Sequence, residues 1–176
     1  MKKSLILILL AAGLAAFAPV SSKISAEDPI ITTRRVAQVA IVVRDINKAR
    51  MEWAEVLGVK PPEVSIAEGH FSRPTRYMNQ PSDAKAKLAF FEMENLQIEL
   101  IEPMGGKSTW QEFLDNHGEG LHHIAFTVKG IDGVEKRFEM KGMPTVQTGG
   151  WDGGAYSYVD ASARLGCVLE LLENYR

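Results

Sequence analysis

The stretch VAQVAIVVRDINKARMEWAEVLGV, residues 36–59, returns in altered form as LHHIAFTVKGIDGVEKRFEMKGM, residues 121–143. At a constant offset of 85, Val39 matches Ile124, Ala40 matches Ala125, Val43 matches Val128, Arg44 matches Lys129, Ile46 matches Ile131 and Trp53 matches Phe138. In both copies a β-rich run (residues 39–43 and 124–128) passes through a turn with Asp or Gly. An amphipathic stretch follows (Ile46–Leu57 and Ile131–Met140), closed by Gly58 or Gly142. Self-similarity of this kind marks a duplicated unit. Each copy reads as a strand, a helix entered near Asp45 or its counterpart, and a glycine stop.

Working outward, each copy continues into short strand-like runs, residues 87–93 and 96–101 in the first and 155–160 and 167–172 in the second. The closing runs also correspond: QIELIE (residues 97–102) and VLELLE (residues 168–173) carry an acid at the third position of an otherwise apolar strand. The expected fold is α+β: two tandem βαβββ modules, residues 34–104 and 120–176, packed side by side into a half-open barrel around a cleft. A four-stranded sheet cannot bury both faces alone. A homodimer is the other way to pair such halves. Residues 61–86 read as a long connector and residues 105–120 as the link between the halves, and loops of that length in a compact domain are often functional.

Residues 1–26 are set aside as a signal peptide, because Lys2 and Lys3 precede an apolar and small-residue run from Leu5 to Ala18, with cleavage expected after Ala26. That run is shorter than the roughly 20 apolar residues of a spanning helix, so no stable membrane anchor is expected. The expected location is exported, periplasmic or secreted. Loss of three lysines and no acid takes the formal charge from −2 to −5, and without a basic cluster nothing points to nucleic acid. The lone Cys167, in the apolar run GCVLELL, reads as a small buried hydrophobe.

Four polar residues stand out because the duplication pairs them. Gln38 and His123 lie two residues before the Ala40/Ala125 pair, and Glu99 and Glu170 are equivalent on the closing strands. Oxygen and nitrogen donors inside a half-barrel need a cation or a dense hydrogen-bond network. Adjacent strand residues face opposite ways, so His122 is expected to be structural rather than a second ligand. In the connector, His70, Arg73, Arg76 and Tyr77 could grip an anionic small-molecule substrate. The run from Gly149 to Gly154 reads as a glycine-rich loop whose Trp151 could close over a ligand.

Together, VAQVAIVVRDINKARMEWAEVLGV, LQIELIEP, FLDNHGEGLHHIAFTV and GCVLELLE resemble the successive signatures of the vicinal oxygen chelate (glyoxalase, bleomycin resistance, dioxygenase) superfamily across residues 36–173. FLDNHGEGLHHIAFTV is most similar to the methylmalonyl-CoA epimerase branch. The resemblance implies a divalent metal, Zn, Ni, Co or Mn, on Gln38, Glu99, His123 and Glu170. Gln38 departs from the usual His, but the Gln/Glu/His/Glu set resembles that of animal-type lactoylglutathione lyases. It further implies an isomerase or lyase in which a chelated carbonyl compound loses a neighbouring proton via an enediolate, with Glu170 and Glu99 as catalytic carboxylates. Glu68 is the best match for a second acid/base. A metal-free binding protein of the bleomycin-resistance type is the alternative, and an extradiol dioxygenase fits poorly because only one of its two histidines is in place.

Overall fold

A computed structural model describes residues 28–175; the expected leader over residues 1–26 lies outside them. The first copy of the repeat contributes β1 (Gln38–Val42), α1 (Ile46–Leu57), β2 (Ser65–Ala67), β3 (Arg76–Tyr77), β4 (Gln80–Pro81), β5 (Ala86–Glu92) and β6 (Gln97–Pro103). After α2 (Thr109–His117), the second copy contributes β7 (Gly120–Thr127), α3 (Ile131–Met140), β8 (Thr145–Trp151), β9 (Gly154–Asp160), α4 (Ser162–Leu165) and β10 (Val168–Asn174). The α+β half-barrel of paired modules is therefore the observed architecture.

The strands form one curled sheet in the order β2-β5-β6-β1-β7-β10-β9-β8-β3-β4. Within each copy the first strand pairs in parallel with the last, β1 with β6 and β7 with β10, and the copies join through antiparallel β1 and β7. Alternation along the strands divides the apolar residues between two faces. The outer face packs under the helices: Ile46 and Ala54 of α1 lie with Ala89, Phe91 and Leu100, and Ile131, Val134 and Phe138 of α3 lie with Val159, Leu169 and Leu171. The inner face carries Ala40, Val42, Ile101, Tyr156 and Tyr158, with Trp110 of α2 among them.

The helix starts show why the second acid of each closing strand is there. Asp45 caps α1 by accepting from the N–H groups of Asn47 and Lys48, and Glu102 accepts from Ile46 N at 2.8 Å. In the second copy Gly130 brings no capping side chain, and Glu173 accepts from the N–H groups of both Gly130 and Ile131. A carboxylate at a helix N-terminus satisfies orphan donors and opposes the helix dipole. Thus Glu99 and Glu170 face inward, while Glu102 and Glu173, three positions on, tie helix to sheet.

Three expectations change. The 61–86 connector is not a plain loop: β3 and β4 lie inside it and add to β8, the far edge of the second copy. The chain after β2 must cross the open side of the half-barrel to reach β8, so this segment straps the cleft. Second, the link between the copies carries α2, whose start is capped by Ser108 accepting from Gln111 N. Third, residues 149–154 are mostly strand rather than a loop. They end β8, turn through Asp152 and Gly153, and begin β9, with Trp151 opposite Gly154. The glycines are steric: a Cβ on Gly149 would stand 2.5 Å from the Tyr156 ring, and one on Gly154 would stand 2.2 Å from the Trp151 ring. Cys167 is half-buried and packs beside the outer cluster over α3.

Candidate functional site

The strands β6, β1, β7 and β10 are consecutive in the sheet and carry Glu99, Gln38, His123 and Glu170 respectively. Register brings these side chains together. Ala40 is the Cα partner of both Glu99 and His123, and Ala125 is the partner of both Gln38 and Glu170. A methyl group is all that separates the donors at each of these positions, which explains why the repeat places alanine at both. All four donors are buried, with relative exposures of 8% for Gln38, 6% for Glu99, 2% for His123 and 4% for Glu170.

The polar atoms converge. His123 Nε2 lies 3.1 Å from Glu170 Oε2 and 3.5 Å from Glu99 Oε2, and the three ligand atoms lie within 4.8 Å of one another. All three are buried, and beyond these mutual approaches none has a hydrogen-bond partner among the described residues. Two carboxylates and an imidazole aimed at one point, with orphaned atoms in a dry setting, are costly unless a cation sits among them. The donor set suits a borderline divalent metal. Gln38 fits as well: its Nε2 donates to Gln97 Oε1 at 2.9 Å, and Gln97 in turn donates to Glu92. Holding the amide nitrogen fixes which end of the side chain is free, and that end is the carbonyl oxygen.

Electrostatics agree. Burial pushes the Glu99 carboxyl upward, and the nearby Glu170 charge adds to this, while His123 opposes both. For His123, burial alone would favour the neutral ring, but Glu170 and then Glu99 override it and hold the pKa at about 9. The imidazole thus acts as the cation that the two carboxylates lack.

His122 is placed differently from the expectation that adjacent side chains diverge. The pairing of β1 with β7 steps from Ala40/His123 to Ile41/Leu121, so His122 is the extra residue of a bulge. A bulge re-aims the side chain it interrupts, and His122 Nδ1 comes to 2.9 Å from His123 Nδ1 with both rings buried. His122 also hydrogen-bonds the main chain of Thr109, whose N–H is already donated to Gln147 Oε1 at 2.8 Å. The Thr109 carbonyl must be the acceptor and His122 the donor. Burial and the neighbouring His123 push the His122 pKa down to about 3, so it stays neutral. Its Nδ1 is therefore an acceptor, and His123 must donate Nδ1–H to it, leaving Nε2 of His123 for the cluster.

A cavity of about 670 Å³ opens above the cluster, bordered by Gln38, Glu99 and Glu170 and, from the strap, by Glu68 and His70. Of the substrate-binding candidates, His70 and Trp151 border it. Arg73 is held by Asp132 at 2.9 Å and Glu135 at 2.8 Å, Arg76 donates to the Asn79 carbonyl, and Tyr77 donates to Glu112 at 2.9 Å. These three anchor the strap outside the cavity. The sequence reading missed the aromatic wall of Phe90, Trp110, Tyr156 and Tyr158. The alternation Tyr156-Ser157-Tyr158 was its visible signal, since residues two apart share a strand face.

This curled pair of modules is the fold of one superfamily. A model of the Glyoxalase/Bleomycin resistance protein/Dioxygenase superfamily matches residues 37–159, and the chain belongs to that superfamily. Its members commonly hold a divalent metal. Among curated proteins, the chain is similar to the uncharacterized protein YqjC of Bacillus subtilis, 33% identical over 52% of this chain and 56% of that one. It is also similar to the mitochondrial methylmalonyl-CoA epimerase of Mus musculus, 27% identical over 65% of this chain and 57% of that one. It thus spans little more than half the length of these relatives. Its fold is that of the methylmalonyl-CoA epimerase of Mycobacterium tuberculosis, with a TM-score of 0.54 at 19% identity over 80% of this chain and 87% of that one.

Proposed function

We propose that this protein is a divalent-metal-dependent isomerase or lyase of the glyoxalase and epimerase type, which removes a proton next to the carbonyl of a small chelating substrate. The observation that carries the reading is the convergence of three buried ligand atoms on Glu99, His123 and Glu170, which have no partner among the described residues except one another. A metal held there by these residues and Gln38 would supply Lewis-acid polarisation of two vicinal substrate oxygens, acidifying the adjacent C–H. The rest is the work of the chain. Glu170 and Glu99 flank His123 on two sides, at 3.1 Å and 3.5 Å, so one carboxylate can take the substrate proton while the other stays with the cluster.

The Tyr158 hydroxyl accepts from Trp110 Nε1 at 3.0 Å, which leaves its own proton free to donate. Burial holds its pKa well above the ordinary phenol, so it keeps that proton. The strap and the aromatic wall limit water at the reacting carbon. Glu68, half-exposed and paired with Lys85 at 2.8 Å, is the remaining carboxylate on the strap side that could return a proton.

The test begins with metal analysis of the purified protein after loading, where about one divalent ion per chain is expected. Solvent deuterium should then enter candidate 2-oxo acids or hemithioacetals, and Glu170→Gln should slow the exchange at least about a hundredfold. A protein that takes up no divalent ion would instead be a metal-free binding protein of the bleomycin-resistance kind.

A further inference from the structure

We infer that the substrate portion held in this cavity is apolar, preferably aromatic, and carries no anionic group apart from the oxygens that chelate the metal. This names the substrate class of the site and rests on the metal-centred reading above. The cavity wall holds Glu68, Glu92, Glu99, Asp152 and Glu170, and among the described residues no lysine or arginine borders it. His70 is its one basic side chain, and that ring is engaged through Nδ1 with Ser72 Oγ at 2.7 Å. A divalent ion would balance Glu99 and Glu170, Lys85 already pairs with Glu68, and no lysine or arginine is left on the wall to receive a further anion. The nearby cations are already engaged: Arg73 with α3, Arg76 with the turn after β3, and Lys85 with Glu68 of the wall itself.

A second observation is independent of charge. The inner wall is a connected set of rings, with Trp110 and Tyr156 centred 6.1 Å apart and Tyr156 and Tyr158 5.4 Å apart, and Trp151 stands at the rim on the β8–β9 turn. A flat apolar group gains contact with these faces, whereas a carboxylate or phosphate in the same space would lose water, lie near the wall's carboxylates and find no lysine or arginine to pair with. About 670 Å³ is ample for a single ring with its chelating oxygens.

The experiment uses the zinc-loaded protein and hydroxamates, which chelate through two adjacent oxygens. Benzohydroxamic acid, its 4-carboxamide and its 4-carboxylate are compared by calorimetry at low salt. The amide and the carboxylate are close in size and differ in charge. The parent and the carboxamide should bind, and the carboxylate should bind about tenfold or more weakly, with the deficit shrinking as salt is raised. A carboxylate that binds as tightly as the amide overturns the substrate class and leaves the metal centre standing. If none of the three binds although zinc is held, the chelating site itself is refuted.

Discussion

At the scale of single residues, His122 is the side chain that makes the cluster specific. It orients the ring of His123 by accepting from its Nδ1–H, having itself been fixed by the Thr109 carbonyl, so Nε2 of His123 faces the carboxylates. Residues that orient a metal ligand in this way typically contribute a factor of about 10–100 to affinity. His122→Leu should therefore weaken zinc binding by about 10- to 100-fold in a chelator-competition titration. His122→Asn, which keeps an acceptor near the Nδ1 position, should stay within a few-fold of the parent. A loss common to both variants, accompanied by lower stability of the metal-free protein, would mean that His122 only fills space.

At the scale of elements, the strap decides the shape of the cleft. It is anchored by the β3–β8 pairing and by Arg73 reaching Asp132 and Glu135 on α3, with side-chain exposures of 20% for Arg73 and 15% for Glu135. Removing one member of so shielded a pair leaves Glu135 without its cation. Arg73→Ala should lower unfolding free energy by about 1–3 kcal/mol in urea denaturation, less than for a fully buried pair. Substrate affinity should change little. Unchanged stability with a raised KM would return Arg73 to the role of substrate grip that the sequence suggested.

The same element shows where sequence reading stops. Hydrophobic period and a constant offset revealed the strand-helix units and paired Gln38 with His123, and the acid at the third position of each closing strand paired Glu99 with Glu170, because duplication repeats residues that do the same job. Strands β3 and β4 are two residues each and carry no readable period. Their partner lies some seventy residues away in the other copy, and such pairing is set by tertiary geometry alone. The glycines at 149 and 154 looked like flexibility in the sequence and prove to be clearance for Tyr156 and Trp151, while Gly150 makes room for the Gly154 carbonyl and Arg73.

At the scale of the whole molecule, the cluster links metal, protons and stability. In the metal-free protein His123 titrates near 9 rather than 6.5, so the folded state holds a proton that the unfolded state gives up earlier. The stability from this group is complete below about pH 6.5 and is lost as pH rises through about 9. The raised Glu99 carboxyl acts in the same direction. The lowered His122 contributes only as pH falls below 6.5 toward about 3, outside this window. A bound metal must displace the His123 proton, so its affinity runs the other way and rises with pH. Metal at a hundred times its Kd adds about 2.7 kcal/mol, or roughly 5–10 °C in Tm for a chain of this size. The gap in Tm between zinc-loaded and chelator-treated protein should accordingly widen from pH 6.5 to 9 in scanning calorimetry. A gap that stays flat or narrows over that range would mean that zinc binding displaces no proton from His123, and that the ion sits elsewhere.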